Sequence, residues 1–331
     1  MGRALLGVTP GTSQPAMPQT VEIAHSANAT QCRNGMLSTQ RPGRIAAAVY
    51  YPAQQDSTDV KRPIDGSISR GARHPLLLYA HGKRRWLTCP EHVPPGLDSA
   101  LSDPGQDFRR VDRLLSHVAS HGFVVAAPDL GWLVETYEEG GWDGVGGLPR
   151  ARILVALHAA LAERAQAWFG GRLDLERLGL IGHSTGALAC LAALERLGQV
   201  KALGLLAPAA KDEFPAYRSP ATLIVTSSID LQLVRDPADL YRAAPPPKVM
   251  VSLEGANHLG FTELCTEDNR TCIDGDPPGL IKRDLQQDVA AAYLAAMMRL
   301  QLSGDQSMRR YLDGSAQMDS RLPVRITADW R

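Results

Sequence analysis

The chain has 331 residues, 44% of them hydrophobic and 21% charged, which is enough for one large α/β domain or two small ones with a sizeable core. Thirty-five Lys and Arg balance 35 Asp and Glu, so the basic excess that a nucleic-acid binder sets against phosphate is missing. No run approaches the roughly 18 apolar residues of a membrane-spanning helix. The N-terminus carries one cation and an apolar run too short for a secretory h-region, which predicts a cytoplasmic protein unless the chain is the processed form of a secreted one.

Residues 1–20, rich in Gly, Pro, Ser, Thr and Gln without periodicity, read as a flexible arm. Candidate strands follow at Val21–His25 and Arg44–Tyr51, then a polar loop over 54–73. His74–Ala80 is a run of bulky apolar residues bounded by Pro75 and Gly82, the pattern of a strand buried on both faces. After the irregular segment 83–105, the spacing of Val111, Leu114, Leu115 and Val118 predicts a helix over Gln106–Ser120, ended by Gly122. Phe123–Asp129 reads as another buried strand. The glycine-rich loop 130–149 contains Gly144-Val-Gly-Gly147, which follows no clean strand and so makes a poor phosphate cradle.

A helix over Ala151–Phe169 comes next, with Ile153, Leu154, Leu157 and Leu161 on one stripe. Leu178-Gly-Leu-Ile-Gly-His-Ser-Thr-Gly-Ala187 then reads as a short apolar strand broken at Gly182-His183-Ser184-Thr185-Gly186, running on into helical sequence to about Leu197. Ala202–Pro208, Ala221–Thr226 and Val249–Leu253 are further strands, and Arg283–Leu302 is a long helix. Strands alternating with helices predict an α/β fold with a doubly wound, mostly parallel sheet. The expected division is a domain over 21–302 with a C-terminal extension over 303–331.

Strand, G-x-S-x-G turn and helix together make the setting of a nucleophile elbow, in which Gly182 and Gly186 have a steric task and the serine hydroxyl projects above the sheet. Serine needs a base to remove its proton, and the base needs an anion to orient it and stabilise its charge. Asp230 follows the strand that ends near Thr226, and His258 lies in the Gly255-Ala-Asn-His-Leu-Gly-Phe261 loop after the next strand. Both therefore fall at carboxyl ends of strands, where ligands of doubly wound sheets bind. Asp212 and Asp236 are the alternative acids. The oxyanion needs two backbone donors: the N–H of Thr185, and the N–H of Lys83, which Gly82 lets approach the substrate.

The side chains of Lys83, Arg84 and Arg85 form either an anion-attracting patch or a solvated rim. His117 and His121 share a helix face but lack the Glu of H-E-x-x-H, so they read as structural. Five cysteines give no metal spacing, and neither a metal nor an organic cofactor is implied. Cys190 reads as a buried thiol. Cys265 and Cys272 are close enough in a polar loop to close a small disulfide, which would favour an oxidising compartment. The sequons at Asn28 and Asn269 matter only in a glycosylating host.

His81-Gly82, the elbow, Asp230 and Gly255-Ala-Asn-His258 resemble the serine α/β-hydrolases over most of residues 75–300. Within that superfamily, Tyr51-Pro52-Ala53 and His258-Leu-Gly-Phe-Thr262 are similar to platelet-activating-factor acetylhydrolase-like esterases, chlorophyllase-like enzymes and bacterial polyester hydrolases. The resemblance implies a carboxylic-ester hydrolase working through Ser184, His258 and Asp230 and an acyl-enzyme, on short-acyl or polyester-type esters. An acyltransferase or perhydrolase is the alternative, and a silent binding protein a remoter one. About a dozen residues separate the strand after the elbow helix from the next, too few for a large lid domain. Trp86, Trp132, Tyr137 and Trp142 are the expected substrate-binding side chains.

Overall fold

In the computed structural model the described residues are 14–15, 19–33, 36–53, 68, 73–82, 104–131, 147–209, 217–218, 220–230 and 236–331. The strands are β1 (Gln14–Pro15), β2 (Gln19–Arg33), β3 (Met36–Tyr50), β4 (Pro52–Ala53), β5 (His74–Ala80) and β6 (Val124–Pro128), followed by β7 (Leu173–His183), β8 (Val200–Leu206), β9 (Ala221–Ser227), β10 (Lys248–Leu253) and β11 (Val324–Asp329). The helices are α1 (Asp112–Ser120), α2 (Gly147–Phe169), α3 (Thr185–Leu197), α4 (Pro237–Ala243), α5 (Arg283–Ser303) and the single turn α6 (Arg309–Leu312). Nine strands form one sheet in the order β11-β10-β9-β8-β7-β5-β6-β3-β2. Pairing is parallel from β6 through β10 and antiparallel at both flanks, so the chain is α/β with a mostly parallel sheet.

The pleat sends alternate residues of each strand to opposite faces. Leu76, Leu78, Ala80, Leu178 and Leu180 pack against α2, α3 and α4, while Leu77, Tyr79 and Ile181 pack against α1 and α5. Every residue of β5 is buried, as the unbroken apolar run predicts. Side-chain size sets how close α5 comes to the sheet. A Cβ on Gly204 of β8 would lie 2.2 Å from Leu294 Cδ2, so the glycine is a flat spot that receives this helix.

The two layers bear on where a site can form. From β5 the chain goes through α1 on one face to β6, and from β7 through α3 on the other face to β8. The neighbours β5 and β7 therefore send their following segments in opposite directions, which opens a crevice at their carboxyl ends. Gly82 and Ser184 follow those two ends.

Several expected boundaries move. Residues 303–331 are not an appendage, because β11 pairs with β10 along its full length and Leu312, Met318 and Leu322 join the core. The N-terminal arm also reaches less far than residue 20: Gln14–Pro15 pairs with β4, and β2 begins at Gln19. β2 and β3 are 15 residues each and form a long antiparallel hairpin, well beyond the short strands expected. The helix expected over Gln106–Ser120 is a 3-10 turn, Pro104–Arg109, followed by α1. α4 is an addition to the expected elements. Asp236 caps it, its carboxylate accepting from the Ala238 N–H at 2.9 Å.

Candidate active site

The elbow is built by steric exclusion. A Cβ on Gly186 would lie 2.0 Å from the Ala80 carbonyl oxygen, and one on Gly182 would lie 2.5 Å from the Gly186 oxygen. Both contacts involve rigid backbone, so only glycine lets β7 fold back into α3 at this spot. Ser184 between them sits at φ 56°, ψ −126°, a region an L side chain occupies only when its surroundings force it. Its N–H continues the β7–β8 ladder to Leu206 O at 2.9 Å, which fixes the strained residue from behind.

Asp230 and His258 come together by the same device. Past the ends of β9 and β10 the two chains stay laced: Ser228 N–H donates to Leu253 O at 3.1 Å, Ile229 N–H to Ala256 O at 2.9 Å, and Gly255 N–H to Ser228 Oγ at 2.8 Å. His258 Nδ1 is then 2.7 Å from Asp230 Oδ2 and its Nε2 is 2.8 Å from Ser184 Oγ. The carboxylate oxygen only accepts, so Nδ1 carries a proton and Nε2 faces the serine hydroxyl as an acceptor. Ser227 Oγ also donates to Asp230 Oδ2, at 3.0 Å. Ser184 is 6% exposed and His258 2%, so the relay lies in a water-poor setting with its hydroxyl end toward the surface.

Of the alternative acids, Asp236 is committed to capping α4, and Asp212 lies outside the described residues, as do Lys83, Trp86, Trp132, Tyr137 and Trp142. Thr185 is the first residue of α3. Its N–H belongs to the first-turn donors that helical geometry directs past the N-terminus, the positive end of the helix dipole. Gly82 brings the other backbone segment in: a Cβ there would lie 2.8 Å from Ser184 Cβ.

His81 and Gly82, which follow β5 directly, are braced by two side chains. His81 Nδ1 lies 2.8 Å from the Gly82 carbonyl, and its Nε2 accepts from the Leu130 N–H at 2.8 Å, which ties the ends of β5 and β6 together. Arg150, 1% exposed in α2, donates to the His81 carbonyl at 3.1 Å. The signal for Arg150 in sequence is slight, a cation at the head of an apolar helix.

His183 lies under the elbow, as its position within the motif predicts, and does more than fill space. Its Nε2 donates to the His258 carbonyl at 3.0 Å, and the two ring centroids are 5.0 Å apart. Burial, reinforced by the neighbouring His258, pulls its pKa down to about 3, so the ring stays neutral.

Cys265 and Cys272 are joined by a disulfide across an isolated antiparallel bridge, in the loop just beyond His258. Asp276 completes with them the one trio of metal-ligand types within 4.8 Å among the described residues, but both sulfurs are spent on each other. Cys190 is fully buried in α3, where burial pushes its thiol far up, so it remains protonated. Asn269 is also fully buried, its Nδ2 donating to Gln286 Oε1 at 3.2 Å. The folded chain therefore offers no glycan acceptor there. His117 on α1 and His121 at its C-cap stack at 5.4 Å, and burial pulls both pKa values down, His121 to about 3. Among the described residues no helix is long and apolar enough to cross a membrane.

No family model matches the chain, and no curated protein does.

Proposed function

We propose that the chain is a serine hydrolase of carboxylic esters built on an α/β-hydrolase fold. The observation that carries the reading is the unbroken relay from Ser184 Oγ to His258 at 2.8 Å and from His258 to Asp230 at 2.7 Å, assembled from the ends of three different strands. The positive φ of Ser184 and the order Ser, Asp, His along the chain support it.

In this scheme Ser184 Oγ attacks the ester carbonyl carbon while His258 Nε2 takes the hydroxyl proton. The oxyanion of the tetrahedral intermediate is met by the N–H of Thr185 and by that of Lys83. As the intermediate collapses, the C–O bond to the leaving alcohol breaks and His258 returns the proton to the departing oxygen. Water enters next. His258 takes its proton, the hydroxide adds to the acyl carbon, and Ser184 leaves reprotonated with a carboxylic acid as product. Asp230 holds the imidazole in the productive tautomer and stabilises its cation in both halves of the cycle.

Short-acyl or polyester-type esters fit best. The segment between Leu206 of β8 and Ala221 of β9 is too short for a lid domain, so the crevice above Ser184 should be open and enclose little of a long acyl chain. Trp86, Trp132, Tyr137 and Trp142 are the aromatic walls the sequence offers for the far end of such a substrate.

The test is labelling by a fluorophosphonate together with hydrolysis of a soluble aryl-ester series. Ser184 should be labelled stoichiometrically, rates should be highest for acyl chains of about C2–C6, and an oil–water interface should give no jump. Labelling at another serine in Ser184→Ala, or a preference for emulsified long-chain triglycerides, would overturn the reading.

A further inference from the structure

The backbone around His258 is held by side chains rather than by strand or helix pairing. Gln286, near the start of α5, is fully buried. Its Oε1 accepts from the Asn257 N–H at 3.3 Å, and its Nε2 donates to the Asn257 carbonyl at 2.8 Å. One carboxamide thus pairs with both main-chain groups of the residue before His258, as a peptide on a neighbouring strand would. The Asn257 side chain in turn holds the loop that carries the imidazole: its Oδ1 accepts from the Gly260 N–H at 3.0 Å and its Nδ2 donates to Pro277 O at 2.9 Å. On the other side of His258, its carbonyl receives His183 Nε2 at 3.0 Å and the Leu259 N–H goes to Asp276 Oδ2 at 2.7 Å.

We infer that Gln286 is a positioning residue for the acyl transfer: its amide sets the peptide planes flanking Asn257 and so places the His258 imidazole between Ser184 and Asp230. The inference rests on the ester-hydrolase reading above. Its physical basis is chemical matching. Asn257 presents one donor and one acceptor side by side, and a single side chain satisfies both only if it carries an acceptor and a donor on the same carbon. A carboxamide does so, and so does a neutral carboxylic acid. A carboxylate has acceptors only, and an alkyl chain has neither. Either would leave buried polar groups of Asn257 unpaired, and the backbone would move to find partners. No proton passes through Gln286, and it touches no reacting atom.

The experiment uses the full chain with Gln286→Leu and Gln286→Glu, a soluble butyrate aryl ester, fluorophosphonate labelling rates, and thermal unfolding to verify folding. Gln286→Leu should lower kcat by roughly 10²-fold, the scale of an ångström of misplacement, and leave KM within about threefold of the wild-type value. Labelling of Ser184 should slow in parallel. Gln286→Glu should work near the wild-type rate while its carboxyl is protonated and lose activity as it ionises. That adds a falling alkaline limb to the kcat profile which wild type lacks.

The charged and titratable groups on the segments bonded to or beside Gln286 are Lys282, whose carbonyl accepts the Gln286 N–H, Arg283 on the same turn of α5, His258 next to Asn257, and Asp276 and His183, which bond the backbone on the far side of His258. None of these differs between the two proteins, so the extra limb reports the carboxyl introduced at position 286. A wild-type kcat in a folded Gln286→Leu would overturn the inference. Should that variant fail to fold, a flat alkaline limb in Gln286→Glu would overturn it. Wild-type protein that neither reacts with the probe nor hydrolyses any ester would instead refute the underlying reading and the positioning role with it.

Discussion

Removing the Ser184 side chain in two steps separates its chemistry from its strain. Ser184→Ala deletes the hydroxyl and its bond to His258 but keeps Cβ, and hence keeps the cost of holding an L residue at φ 56°, ψ −126°. Ser184→Gly deletes the same hydroxyl and also Cβ, which removes that cost. Strain of this kind is worth about 1–3 kcal/mol, while glycine loses about 0.5–1 kcal/mol more backbone entropy on folding than alanine. The hydrogen bond is absent from both variants and cancels. Ser184→Gly should therefore be the more stable of the two, by about 1 kcal/mol at the middle of those ranges and by about 2.5 kcal/mol at most. Equilibrium urea unfolding reads the difference directly as a shift in midpoint at constant slope. Both proteins should have lost roughly 10⁵–10⁶ in kcat, the scale seen when a triad serine is removed. A glycine variant less stable than the alanine variant would mean that residue 184 is not strained in solution, and the elbow argument would fall with it.

Asp230→Asn should leave the fold intact and lower kcat by up to ~10⁴, because the imidazole is then held in the wrong tautomer. Asp236→Ala should cost about 1 kcal/mol of stability through its lost cap and leave kcat unchanged, and the opposite pattern would move the acid to Asp236. The double variant Cys265→Ser/Cys272→Ser should be less stable by at most roughly 2–3 kcal/mol, the chain-entropy scale for so short a loop, and mass spectrometry finding both thiols alkylatable in native protein would reject the bond. Glu263 gives a pH dependence. Burial pushes its carboxyl up from 4.5 to about 7, against the N–H groups of Asp112 and Arg113, which donate to it at 3.2 and 3.0 Å. Between those two values the native state holds a proton that the unfolded state releases, so stability falls as pH rises through the window, by at most about 3 kcal/mol. Glu263→Gln should flatten that slope between about pH 5 and 7 in urea unfolding, and parallel curves for the two proteins would refute it.

The strands that read clearly in the sequence are those buried on both faces. β5 is an uninterrupted apolar run, and a run of that kind between Pro and Gly has few other homes. β11 does not read because an edge strand covered on one side offers no such run: it alternates half-buried Val324 and Ile326 with exposed Arg325 and Thr327, and its pairing partner lies some 70 residues back in β10. The length of the β2–β3 hairpin is hidden for a related reason, since its outer halves pair with each other and carry no apolar run to mark them. α4 is too short to show a periodicity, and only its Asp-Pro start marks it.

The residues expected to react are legible because each sits in a local pattern that chemistry imposes: small residues round the serine, and a strand end before the acid and before the base. The residues that hold them in place are not. Gln286 and Arg150 are polar side chains inside helices, and what makes them matter is a partner 29 or 69 positions away. Within one sequence such a residue differs from a solvated one only by sitting where burial is expected. Gln286-Gln287 is such a place, a fully buried polar pair leading into the apolar stretch of α5 from Val289 onward. Most buried side-chain amides are satisfied by protein; Gln286 is, while neither polar atom of the Gln287 amide has a protein partner. In this chain, what satisfies the amide of Gln286 is the backbone beside His258, with the Asn269 side chain as a further donor to its oxygen.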